Sequence, residues 1–115
     1  MELLLRLFSI TILVVGFSYT SAVTAQLVMV EELGCTYCKR FDREIAGSFG
    51  SRAGIGLRRV KRSGRWPKEL ASVTPAYGTP TFILVDRGVE VGRFAGYRNR
   101  EIFWHNVKVL LGRVN

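Results

Sequence analysis

Glu31-Glu32-Leu33-Gly34-Cys35-Thr36-Tyr37-Cys38-Lys39-Arg40-Phe41 is the stretch on which the reading of this chain turns. It holds both cysteines of a 115-residue protein, set where the apolar run Leu27-Val28-Met29-Val30 gives way to a helix-like segment. Two thiols separated by two residues can close a small ring. If the first sits at a helix N-terminus, the free backbone N–H groups and the helix dipole stabilise its thiolate, and a thiolate is a nucleophile near neutral pH. Two other uses of the pair weigh less. A four-residue ring stabilises a fold by only about 2 kcal/mol in the loop-entropy model, which makes a purely structural disulfide a weak crosslink. A closed zinc site takes four ligands, and the chain offers two cysteines and the distant His105.

Length and composition bound the rest. With 115 residues, 48% of them hydrophobic, and a formal net charge of +8, the chain fits one small domain. Arg6 precedes an apolar stretch, Leu7 to Phe17, and small polar residues lead to Val23-Thr24-Ala25. This pattern predicts a signal peptide over residues 1–25, cleaved after Ala25 to leave Gln26 first. Glu2 offsets Arg6, so an uncleaved membrane anchor is the competing reading, although the apolar run falls short of the roughly 20 residues a spanning helix needs. Either way residues 26–115 face an exported compartment, where dithiol proteins are kept oxidised or reduced by dedicated partners.

No repeat or low-complexity linker divides residues 26–115, which should form one α/β domain. Leu27 to Glu32 reads as a strand leading into the dithiol, followed by a helix from Thr36 to about Phe49. Gly47, Gly50 and Gly54 with Ser48 and Ser51 mark its end, and Ile55 to Val60 reads as a second strand. Pro67 suits the first turn of a short helix through Ala71, which Thr74-Pro75 limits. Thr81 to Val85 and Val89 to Ala95 flank a turn at Asp86-Arg87-Gly88 and read as a hairpin. Arg100 to Leu111 places Ile102, Phe103, Val107, Leu110 and Leu111 at helical spacing, with Glu101, His105 and Lys108 on the opposite stripe. His105 is therefore expected to face solvent, and Phe103 and Trp104 to pack in or beside the core.

Strand, dithiol helix, strand, helix, hairpin, helix, in that order, resembles the minimal thioredoxin fold. Gly78-Thr79-Pro80-Thr81-Phe82 opens the third strand, where thioredoxin-like proteins place a cis-proline facing the dithiol. A proline at the start of a strand loses no ladder hydrogen bond. Three stretches carry a narrower likeness: Glu31 to Cys38, Gly78 to Asp86, and Glu90 to Tyr97 resemble the small periplasmic thioredoxins of the SoxS type. That resemblance implies reduction of a partner protein's cysteine, electrons supplied by a membrane thiol reductase, and no organic cofactor. Carried over to this chain, Cys35 is the attacking thiolate and Cys38 resolves the mixed disulfide to leave Cys35-Cys38 oxidised. Thr79 and Pro80 hold the partner's extended backbone, and Tyr37 at the rim packs on it.

The sequence also departs from ordinary thioredoxin. Thr36-Tyr37 replaces Gly-Pro between the cysteines, Gly34 replaces the usual Trp, and the buried strand Asp that handles the second cysteine's proton falls near Met29. Glu31 and Glu32 are the nearest carboxylates in sequence, and strand alternation turns only one of them inward. Glu31 is the candidate proton carrier; a solvated strand-end charge is an equally compatible reading. Arg52, Arg58, Arg59, Lys61, Arg62, Arg65 and Lys68 crowd a short stretch, which reads first as a solvated basic face and next as a docking surface for an acidic protein or anionic membrane. No nucleic-acid module surrounds it, so nucleic acid is not an expected partner. Two other function classes stand beside the preferred one: a dithiol site for a soft metal such as Cu(I), which would lack the extra Met or His ligands expected there, and a basic regulatory protein.

Overall fold

The computed structural model describes residues 12–16 and 24–114, so most of the expected signal segment lies outside the described residues. Four strands form one sheet: β1 (Ala25–Glu31), β2 (Gly56–Lys61), β3 (Thr81–Asp86) and β4 (Val89–Ala95), in the order β2-β1-β3-β4. β1 pairs parallel with β2, while β3 is antiparallel to both β1 and β4. The two central strands are apolar along most of their length because both sheet faces are covered. Leu27, Met29, Phe82 and Leu84 face a helical layer, and Val28, Val30, Ile83 and Val85 face Leu70, Val73 and Ala76 from the chain between β2 and β3. This is the minimal thioredoxin fold that the order of elements implied.

The dithiol helix runs further than its glycines suggest. α1 (Thr36–Phe41) continues through one π-helical stretch, Asp42–Ala46, into α2 (Gly47–Ala53), and Gly54 ends it in the left-handed conformation at φ 71°. Gly47 and Gly50 lie inside it. Each costs on the order of 1 kcal/mol relative to alanine, but Cys38, Phe41, Ile45 and Phe49 bury one continuous face, and that packing decides the outcome. Pro67 also departs from expectation. It is extended (ψ 140°) and precedes a single 3-10 turn, Lys68–Leu70, where buried Leu70 and a hydrogen bond from Trp66 Nε1 to the Leu70 carbonyl (2.8 Å) tie the segment to the sheet.

The hairpin turn is two residues, since Asp86 still belongs to β3. Arg87 (φ 53°) and Gly88 (φ 80°) both take positive φ, the combination that matches strand twist in a tight hairpin. α3 (Arg100–Leu111) begins where Asn99 Oδ1 accepts the Ile102 N–H at 2.9 Å. Phe103, Val107 and Leu110 form its buried stripe, whereas Ile102 is 39% exposed at the rim. Gly92 lets α3 approach β4: a Cβ there would lie 2.5 Å from Leu110 Cδ2.

Phe103 joins the layers. Its ring meets Phe41, Phe49, Phe82, Phe94 and Trp104 edge-on at centroid distances of 5.1 to 6.2 Å, and Tyr97 at a tilt. Phe103→Ala should therefore destabilise the fold by about 3–5 kcal/mol, the usual range for a fully buried phenylalanine. Urea denaturation measures it, and a loss below about 1 kcal/mol would show that the core does not depend on this ring.

Candidate active site

Strand direction gathers the chemistry at one end of the sheet. β1 and β2 end there at Glu31 and Lys61, β3 begins there after Pro80, and β4 ends there at Ala95, because Val30 pairs with Thr81 and Thr81 with Ala95. The chain leaving β1 turns at Gly34, whose φ of 79° suits a residue without a Cβ, and enters the helix at Cys35.

Cys35 and Cys38 form a disulfide with a Cα–Cα distance of 5.2 Å. Cys35 is the N-cap of α1: its Sγ accepts the Cys38 N–H at 3.1 Å. An N-terminal amide thus already points at this sulfur, the geometry that stabilises a thiolate once the bond is reduced. The sulfurs are not equivalent. Cys35 is half-buried, whereas Cys38 is 4% exposed among the helical core residues.

Opposite in the topology, the Thr79–Pro80 peptide bond is cis. Pro80 is buried and Thr79 partly so, and the Pro80 carbonyl accepts the Gly96 N–H at 2.7 Å. Tyr37 is 58% exposed and shares a cleft of about 380 Å3 with Gly96, Tyr97 and Arg98. The Tyr97 hydroxyl donates to Glu44 Oε1 at 2.8 Å, pinning this loop to the π-helical stretch. Burial, and then the hydrogen bond to Glu44, push the Tyr97 phenol up to about 12, while the same bond holds the Glu44 carboxyl below its ordinary value.

The two carboxylates at the end of β1 have different surroundings. Glu32 accepts from Ser63 Oγ, from the Leu33 and Ser63 amides, and pairs with Arg62 at 3.7 Å. The Ser63 hydroxyl first, then the Leu33 amide, hold it below the usual carboxylate range. Glu31 lies on the face of β1 that carries Met29, which is fully buried. It pairs with Arg59 Nη1 at 2.8 Å, and Arg59 Nη2 reaches Asp42 Oδ1 at 2.6 Å. Partial burial pulls the Arg59 guanidinium down, but the bonds to Asp42 and Glu31 more than offset it and raise it above its ordinary value. Glu31, Asp42, Lys39, Lys61, Cys35 and Cys38 all line one cleft of about 180 Å3.

Sequence reasoning missed several residues here. Leu33 (82% exposed) and Tyr77 (89% exposed) are apolar groups left open beside the dithiol turn and the Thr79–Pro80 bond, and Tyr37 adds a third. Their signal was adjacency to the two motifs. Asp42 and Arg59 were legible only as a helix charge and a member of the basic cluster. Three of that cluster's seven members stand in ion pairs: Arg58 with Glu69, Arg59 with Glu31 and Asp42, and Arg62 with Glu32. Arg52 lies over the Trp104 ring, 4.2 Å from its centroid, and His105 is exposed. Among the described residues no group of three His, Cys, Asp or Glu side chains could hold a metal ion, and no helix is long and apolar enough to cross a membrane.

No protein-family model and no curated protein sequence matches the chain. Solved structures do. The periplasmic thioredoxin SoxS from Paracoccus pantotrophus, in its reduced form, is 33% identical with a TM-score of 0.74, covering 79% of this chain and 99% of that one. A Thermus thermophilus thioredoxin is 26% identical (TM-score 0.58, 76% and 73% covered). Fasciola hepatica thioredoxin, 18% identical at a TM-score of 0.59 over 76% and 81%, shares the fold. With a disulfide-forming Cys35-Cys38 pair at the helix N-terminus, a fold with the strand order β2-β1-β3-β4 and a SoxS relative matched over nearly its whole length, this chain belongs to the thioredoxin-like thiol–disulfide oxidoreductases of the SoxS type.

Proposed function

We propose that this protein is an exported protein-disulfide reductase in which Cys35 attacks and Cys38 resolves. The unequal exposure of the two sulfurs carries the assignment: only Cys35 is open to a second protein, and only its sulfur receives a helix N-terminal amide. The reduced pair begins as a Cys35 thiolate and a Cys38 thiol. Cys35 Sγ attacks one sulfur of the partner's disulfide, the S–S bond breaks, and the partner's other sulfur leaves as a thiolate. Cys38, as thiolate, then attacks Cys35 Sγ and releases the partner's second sulfur. Two electrons have passed to the partner, and Cys35-Cys38 is a disulfide again.

The partner's extended backbone lies along Thr79 and Pro80, where main-chain hydrogen bonds read shape more than side-chain identity. Tyr37, Leu33 and Tyr77 supply apolar contact around it. A membrane thiol reductase returns electrons to the pair. Support for this direction and location comes from the likeness to SoxS, itself a periplasmic thioredoxin. Residues 1–25 act as the export signal, and cleavage after Ala25 leaves β1 short of its first residue only.

Two measurements test the proposal. Cys38→Ser should accumulate mixed disulfides through Cys35 in the native compartment, visible as reductant-sensitive adducts that Cys35→Ser abolishes; adducts at neither cysteine would refute disulfide exchange. Mass spectrometry of the exported protein should find Gln26 at its N-terminus, and a chain retaining Met1 would refute cleavage.

A further inference from the structure

Met29, near which the resemblance to thioredoxin puts that family's proton-handling carboxylate, is apolar and fully buried. Yet Cys38 is also buried, and a buried thiol must lose its proton before it can attack. Resolution of the mixed disulfide therefore needs another acceptor within reach of Cys38 Sγ.

Three carboxylates, Glu31, Glu32 and Asp42, line the cleft beside the dithiol. Glu32 is committed to Ser63, Leu33 and Arg62, facing the chain after β2. Glu31 stands on the face of β1 that carries Met29 and also lines the cleft, with Oε2 paired to Arg59, but it comes from a different element than Cys38. Asp42 is different. It follows Cys38 by four residues, and its N–H bonds to the Cys38 carbonyl, so the two side chains are neighbours on one helix face. Both line the 180 Å3 cleft, which has room for several waters at about 30 Å3 each. Arg59 fixes Asp42 Oδ1 at 2.6 Å, and Oδ2 makes no hydrogen bond among the described residues.

We infer that Asp42 is the proton acceptor for Cys38, reached through the cleft, and that Arg59 is the residue that positions it. The inference rests on the disulfide-exchange reading and completes it. In the mixed disulfide the Cys38 proton passes by way of cleft water to Asp42 Oδ2. Cys38 thiolate attacks Cys35 Sγ, the bond from Cys35 to the partner breaks, and the partner's thiolate leaves and takes a proton from Asp42 or solvent. No further oxidant or reductant is involved. Arg59 faces both Asp42 and Glu31, so the three groups carry a net formal charge of −1, one proton short of neutral. Lys61 from β2, Lys39 from α1, and Glu31 and Glu32 from β1 and the turn after it are the other charged groups on the cleft. Arg59 earns its position from the register: it pairs with Met29 on the helix-facing side of the edge strand, and its Nη1 lies 3.8 Å from Met29 Sδ. A cation thus occupies the ground beside the missing carboxylate and presents one borrowed from the helix.

The test separates the two chemical steps by rapid mixing of the reduced protein with a disulfide-bonded peptide that carries a fluorophore. Asp42→Asn keeps the size of the side chain and an oxygen for Arg59. It should leave the first phase, attack by Cys35, within about twofold of wild type, and slow the second phase, release of the partner, by about 100-fold at pH 7, the lower end for loss of a positioned general base. The deficit should narrow as pH rises from about 7 to 9, because hydroxide increasingly takes over removal of the Cys38 proton. Arg59→Met should show a smaller slowing of the second phase with the same pH dependence, and Arg59→Lys should recover part of it. Thermal melts confirm that each variant is folded. A second phase in Asp42→Asn equal to wild type across pH 6–9, or slowed equally at every pH, would overturn the inference. Absence of the first phase in the wild type would instead overturn disulfide exchange itself.

Discussion

The hydrogen bond from the Cys38 N–H to Cys35 Sγ, 3.1 Å long, is the contact on which the rest of the structure converges. It exists only because Cys35 caps a helix whose axis is fixed from below. Cys38, Phe41, Ile45 and Phe49 bury one face of that helix against Met29, Phe82 and Phe103, so the first turn cannot tilt away from the sheet end. The same packing buries one sulfur and leaves the other half-exposed. A difference in reactivity between two chemically identical side chains is thus produced by core packing and a single amide.

The charged groups around the dithiol follow from the edge strand. β2 is parallel to β1, so Arg59 and Lys61 stand level with Met29 and Glu31 and point to the helical side. Arg59 is long enough to join β1 to the helix, to Glu31 on one nitrogen and Asp42 on the other. Partly exposed ion pairs of this kind contribute little to stability, about 0–1 kcal/mol each. Their value is geometric: they keep two carboxylates aimed into the cleft that Cys38 lines. Arg59 draws one member of the basic cluster into this framework, and Arg58 and Arg62 are paired as well.

Much of this was legible in the residues. The dithiol, the Thr79-Pro80 motif, the hairpin and the last helix each have a local signature, and the apolar strands are unambiguous because both faces are covered. What escaped depended on tertiary packing. The helix passes through Gly47 and Gly50 because Phe49 must reach the core, which glycine propensity alone argues against. Pro67 sits one position earlier relative to its turn because Trp66 anchors to Leu70. Asp42 and Arg59 are 17 residues apart and meet only through the parallel register of β1 and β2, so neither could be singled out by spacing. Leu33 and Tyr77 are isolated apolar residues in turns, unremarked until the sheet end brought those turns together.

The account rests on the inequality of the two thiols, and the rate at which each is alkylated measures it directly. The reduced protein treated with iodoacetamide at neutral pH, quenched over time and mapped by peptide mass spectrometry, should show Cys35 modified at least roughly tenfold faster than Cys38, as expected for a capped, accessible thiolate beside a buried thiol. Equal rates, or faster modification of Cys38, would contradict the assignment of Cys35 as the nucleophile.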